Sequence, residues 1–173
     1  PSDGRVPTLP GWRWIHTPGH TAGHVSLFRD EDRVLVAGDA FVTTRQESFV
    51  DVLTQREVVW RPPAYFTADW EAARRSVQRL ADLEPDVAAT GHGTPLRGRG
   101  MRDALRDLAR RFDEVMPRHG RYVREPALAD ERGIVHLPPR RGFDRGAVAL
   151  GAAIAAGVSL GLAMSAHGGR SGR

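Results

Sequence analysis

Two stretches decide how the chain reads: Ile15-His16-Thr17-Pro18-Gly19-His20-Thr21-Ala22-Gly23-His24, and shortly after it Val34-Leu35-Val36-Ala37-Gly38-Asp39. The first places three histidines within nine positions on a Gly/Pro loop. Such a loop holds imidazoles where solvent and substrate reach them, which suits a metal; loop histidines with hydrogen-bond duties are the other reading. The second is an apolar strand ending in a carboxylate. A buried carboxylate is costly unless it faces a polar cleft or a cation, although a turn or cap aspartate also ends strands this way. A third stretch, Val87-Ala88-Ala89-Thr90-Gly91-His92-Gly93, repeats the layout with a histidine between two glycines. Three strand ends that present His, Asp and His point to one convergent site.

The rest of the chain supports an α/β fold. Residues 1–11 are rich in Pro and Gly and read as loop. Strands are expected at 12–16, 24–28 and 33–37, the last two joined as a hairpin through the polar turn at 29–32. Residues 40–66 give no clear period. Thr67 is the expected N-cap of a helix, with Trp70, Ala73, Val77, Leu80 and Leu83 on one face and Pro85 as its stop. A short strand follows at 87–90. A second helix is expected over 102–116, with Leu105, Leu108, Phe112 and Val115 on one face. The Pro- and Arg-rich stretch 117–145 is expected to wrap the surface.

The chain has 173 residues, 40% hydrophobic and 27% charged, enough for one domain with a core. It has no cysteine, so disulfides, iron–sulfur clusters and Cys-ligated zinc are excluded, and any transition metal must sit on His, Asp or Glu. Every basic residue is an arginine, and the net charge is only +4. The arginines are interspersed with acids, as in Arg29-Asp30-Glu31-Asp32-Arg33, rather than gathered into a basic stripe. No nucleic-acid partner is expected. No secretory signal pattern opens the chain.

Two units are expected: residues 1–145, which carry the motifs, and an apolar tail at 146–169 without a charged residue. The run 147–164 has the length of a bilayer span and contains Gly157-Val158-Ser159-Leu160-Gly161, a spacing that allows close helix contact. An Ala/Gly-rich tail or a packing helix is the alternative reading. Arginines are more numerous before the run than after it, which would keep the globular part cytoplasmic, whether or not the tail anchors it to a membrane.

Taken together, Thr17-Pro18-Gly19-His20-Thr21-Ala22-Gly23-His24 resembles the third metal motif of the metallo-β-lactamase superfamily. Ala37-Gly38-Asp39 looks like its bridging-aspartate motif, and Thr90-Gly91-His92-Gly93 like its last histidine motif. The resemblance covers roughly residues 10–140 and is nearest to the glyoxalase II-like hydrolases. It implies an α/β fold: part of an αββα sandwich with a C-terminal helical extension, and zinc, two ions in the complete enzyme, at one edge. His20 would ligate the first ion, His92 the second, and Asp39 would bridge both, the one catalytic carboxylate. His24 matches a motif histidine that is not a ligand. His16, His119, His136 and His167 match no ligand position. The activity implied is hydrolysis of an ester, thioester or lactone in a small-molecule substrate by a metal-bound hydroxide, with substrate contacts expected in 40–66. Arg45 and Arg61 there could receive an anionic substrate or could be ordinary solvated arginines.

The family's first motif, HxHxDH, is absent from the sequence. Each ion would then keep one histidine and a share of Asp39, short of the four ligands zinc takes. The expectation is therefore the C-terminal half of a longer enzyme, inactive alone, with the N-terminal half missing. Three alternatives remain: a non-catalytic module that keeps the fold, a membrane-tethered partner protein, and an iron enzyme with oxidative chemistry.

Overall fold

The computed structural model describes residues 3–139. The motif-bearing residues form a six-stranded mixed sheet in simple chain order: β1 (Gly4–Arg5), β2 (Trp12–His16), β3 (Val25–Arg29), β4 (Val34–Gly38), β5 (Val87–Thr90) and β6 (Leu96–Arg97). All neighbours are antiparallel except β4 and β5, which run parallel. A parallel pair needs a crossover. Here it contains α1 (Phe49–Thr54) and α2 (Trp70–Asp82). The consequence for the site is direct. Asp39 and His92, each just past a parallel strand, emerge at the same edge of the sheet.

Strand alternation sorts the side chains. Ile15, Phe28, Leu35, Ala37 and Ala88 are buried on one face. They join one core with Trp70, Ala73, Val77 and Leu80 of α2, Met101, Leu105 and Leu108 of α3 (Gly98–Arg110), and Phe112 of α4 (Phe112–Val115). A fully buried Leu such as Leu80 contributes about 2 kcal/mol by leaving water. The other face carries Trp14, Leu27, Val36 and Ala89, aligned across β2 to β5 by register, and none of them is fully buried.

Several boundaries differ from those expected. The N-cap of α2 is Asp69, whose carboxylate accepts from Ala72 N at 2.9 Å. Thr67 lies outside the helix, fully buried, and donates its hydroxyl to Pro63 O. The second predicted helix starts earlier, at Gly98, and breaks at Arg111 into α3 and α4. Residues 40–66 contain α1 and a single ladder pair between Val42 and Trp60. The stretch expected only to wrap the surface holds a hairpin, β7 (Leu128–Asp130) and β8 (Gly133–His136). Among the described residues, no helix is long and apolar enough to cross a membrane. The apolar run at 147–164 and His167 lie outside the described residues.

Candidate metal centre

The histidine loop is bolted to the start of α2. Gly19 O accepts from both Ala68 N and Asp69 N at 2.9 Å, and Pro18 O accepts from the Ser76 hydroxyl at 2.6 Å. Within the loop, a ring nitrogen of His16 meets Ala22 O at 2.8 Å. His20 is thereby aimed at the strand ends and is mostly buried.

Asp39 is aimed by the irregular end of β4. The register against β5 shifts between Val36 and Gly38, and such a bulge re-aims the residue that follows it. Gly38 sits at φ 58°, a backbone conformation side chains rarely adopt, and a Cβ there would lie 2.7 Å from His24 Nε2. That nitrogen accepts the Asp39 backbone N–H at 3.1 Å. Because a backbone N–H can only donate, Nε2 is unprotonated and the proton of His24 resides on Nδ1. Nδ1 donates toward Thr17, whose hydroxyl lies 2.9 Å away. Thr17 then donates to Ser26 at 2.9 Å, and Ser26 to Ala37 O at 3.0 Å. Nδ1 also lies 3.1 Å from Thr17 O, and with Nε2 accepting and Nδ1 donating the imidazole is neutral in this arrangement. Burial pushes the His24 imidazole below its ordinary pKa in the same sense.

His92 is fixed through its carbonyl, which accepts from Thr43 N at 3.0 Å and from the Thr90 hydroxyl at 2.8 Å. Gly91 leaves room for the carboxylate: a Cβ on it would lie 2.3 Å from Asp39 Oδ1.

The three predicted site residues meet. His20 Nε2 lies 3.5 Å from Asp39 Oδ2, and His92 Nε2 lies 3.6 Å from Asp39 Oδ1. The two imidazoles approach opposite oxygens of one carboxylate, at separations too long for hydrogen bonds. His20 Nδ1 and Asp39 Oδ1 are buried with no hydrogen-bond partner. Burial holds His20 below its ordinary pKa against the pull of the Asp39 carboxylate, so the imidazole is neutral and free to act as a ligand.

The residues present fit a divalent transition metal. The donor set is N and O, the type zinc takes, and two ligands of one tetrahedral zinc stand about 3.3 Å apart. Each His–Asp pair has this spacing. The fit is partial, for among the described residues no three His, Cys, Asp or Glu side chains form a closed ligand cluster.

The other histidines lie elsewhere. His119 is exposed, and His136 pairs with Glu125 at 2.7 Å. The reading of the sequence missed the hydroxyl relay. Its one visible signal was Ser26, a polar residue at an inward position of an otherwise apolar strand.

Comparison with known proteins shows the family. Residues 1–92, more than half of the chain, match the family model of the metallo-beta-lactamase superfamily, and the chain belongs to that superfamily. Among its relatives is the probable metallo-hydrolase YflN of Bacillus subtilis (strain 168). It is 54% identical over 115 residues, which make up 66% of this chain and 44% of that protein. The uncharacterized protein YobT of the same organism is 40% identical over 83 residues, 48% of this chain and 34% of its own length. Similar solved structures include the archaeal superfamily protein ST1585 from Sulfolobus tokodaii. It is 23% identical at a TM-score of 0.44, over 64% of this chain and 37% of that one. The chain spans less than half the length of each of these proteins.

Proposed function

We propose that this chain carries one edge of the dinuclear centre of a zinc-dependent hydrolase, glyoxalase II-like in type, that cleaves an ester, thioester or lactone. His20 and His92 each hold one ion, and Asp39 lies between them. The observation that carries the reading is the approach of two imidazoles to opposite oxygens of one carboxylate whose Oδ1 lacks any hydrogen-bond partner. Bound zinc supplies Lewis acidity, which lowers the pKa of water and polarises an acyl carbonyl.

The chain's own residues do the positioning. His24 fixes the Asp39 backbone, the α2 terminus fixes His20, and Thr43 and Thr90 fix His92. Two histidines and one carboxylate leave coordination positions open for ligands beyond those described. The six-stranded sheet is, in this reading, one half of the αββα sandwich, its Trp14–Leu27–Val36–Ala89 face packing on the other half. The complete enzyme is cytoplasmic. Whether residues 147–164 tether it to a membrane is settled by fractionating cells that express the chain with and without them.

The test is metal content. The protein from its source cells is expected to retain zinc by elemental analysis, and a Asp39→Asn variant to lose it. Iron in place of zinc, or equal metal in both proteins, would sink the proposal.

A further inference from the structure

The histidine loop leaves β2 at His16, where no strand covers the outer edge. β1 pairs with β2 only at Trp14 and Arg13. Thr17 N–H turns toward β3 and donates to His24 O at 2.9 Å. By strand alternation the His16 N–H and C=O, one residue earlier, face the opposite edge. Two side chains stand there in place of a strand. Asp3 Oδ1 accepts the His16 N–H at 3.0 Å, and Arg79 Nη1 donates to His16 O at 3.3 Å. Arg79 Nη2 also bonds Asp3 Oδ2, which closes the grip around one residue of backbone.

Both halves of the grip stand on held backbone. Asp3 directly precedes β1, and Gly4 sits so close to Trp14 that a Cβ there would lie 2.7 Å from the indole Nε1. Arg79 lies on α2, three residues beyond Ser76, whose hydroxyl donates to Pro18 O at 2.6 Å. Gly19 presses on the same helix, where a Cβ would stand 2.4 Å from Ala73 Cα. α2 and the residues leading into it thus hold the carbonyls of His16, Pro18 and Gly19, and Asp3 links the first of these grips to β1. Charge-assisted bonds to both groups of His16 fix the tilt of the chain four residues before His20. Asp3 and Arg79 are both partly exposed, so their pairing adds little stability and its effect lies in geometry.

We propose that Asp3 and Arg79 are positioning residues of the metal centre: the pair sets the angle at which the histidine loop leaves β2, and thereby the place where His20 meets Asp39. The consequence for zinc rests on the hydrolase reading; the consequence for His20 does not. Zinc affinity by chelator competition and the urea midpoint are measured on the full chain. The ring signals of His20 and His92 are followed by NMR on the metal-free chain. Asp3→Ala and Arg79→Ala are each expected to lower zinc affinity about tenfold, with the urea midpoint nearly unchanged. The double variant should fall no further than the weaker single one, because either change opens the same grip. In both single variants the His20 ring signals should shift and broaden, while those of His92, held by Thr43 and Thr90, stay in place. Asp3→Asn keeps an oxygen for the His16 N–H and should recover most of the lost affinity.

Zinc affinity or His20 signals that ignore both substitutions overturn the positioning role. So do losses that add in the double variant, and equal shifts at His20 and His92, which would mark a loosened fold. A parent chain that holds no zinc sinks the hydrolase reading alone, because the ring signals still decide this inference. A parent that holds zinc while His20 ignores both substitutions overturns this inference alone.

Discussion

The two ends of the parallel pair β4–β5 use the same kinds of side chain in opposite ways. At the end where the strands begin, acids and arginines are matched. Arg102 bonds Asp86, Arg106 bonds Glu84 and Asp103, and Arg33 donates to the carbonyls of Leu83 and Glu84. At the end where the strands finish, Asp39 Oδ1 and His20 Nδ1 are buried without a partner. Satisfied polar groups hold a fold in one arrangement, whereas unsatisfied buried ones cost stability and persist where a ligand completes them. The contrast separates scaffold from site without reference to any motif.

Substitutions should respond accordingly. The largest expected effect is on metal uptake by Asp39→Asn, a fall of about a hundredfold or more in zinc affinity by chelator competition. The same variant should unfold in urea no earlier than the parent, because it neutralises a half-buried carboxylate whose Oδ1 has no hydrogen-bond partner. A loss of stability in step with the loss of metal would erase the contrast between the two ends.

Next in size is His24→Leu, which leaves the Asp39 N–H without an acceptor. It should weaken zinc binding about tenfold to a hundredfold, and His24→Gln should recover part of that because its side-chain oxygen can accept. An unchanged affinity in His24→Leu would show that the relay only packs the loop. Gly91→Ala forces a Cβ against Asp39 Oδ1 and should cost about tenfold in zinc affinity with about 1 kcal/mol of stability, read from metal competition and urea melts on one sample.

The smallest effects belong to the other end. Asp86→Asn should cost about 0.5 kcal/mol, since both partners of the pair are partly exposed and screened, and should leave zinc affinity unchanged. Glu84 is held below the ordinary carboxylate range chiefly by its bond from Arg106. Its contribution is therefore complete above the unfolded carboxylate pKa and is lost as pH falls through the folded value. Glu84→Gln should flatten the acid limb of a stability profile taken at low salt.

Much of the site was legible because its information is local. Each candidate ligand follows a short strand and sits beside a glycine, so His20, Asp39 and His92 could be named from residues within a few positions of each. The periodic face of α2 was legible for the same reason. What escaped depends on distant partners. The true cap of α2 is Asp69 and not Thr67, because Gly19 O captures the N–H groups of Ala68 and Asp69 and sets where the helix begins. α1 escaped because its pattern is reversed: Asp51 is buried while Phe49, Val50 and Leu53 are exposed, so no apolar face announces a helix. β1 and β6 are two residues each, too short for any alternation to register. The relay through Thr17 and Ser26 joins three strands, and no window of sequence contains it.

The docking of the histidine loop onto α2 also has a consequence in time. The first turn of a helix is where fraying begins, and here the N–H groups preceding that turn are spent on the loop that carries His20. Each opening of the α2 terminus must therefore free His20, so the helix end sets a clock for the loop. Amide exchange at Ala68 and Asp69 should share one rate with the rearrangement of residues 18–20. The residence time of a bound ion would then be read from the breathing of a helix that contributes no ligand to it.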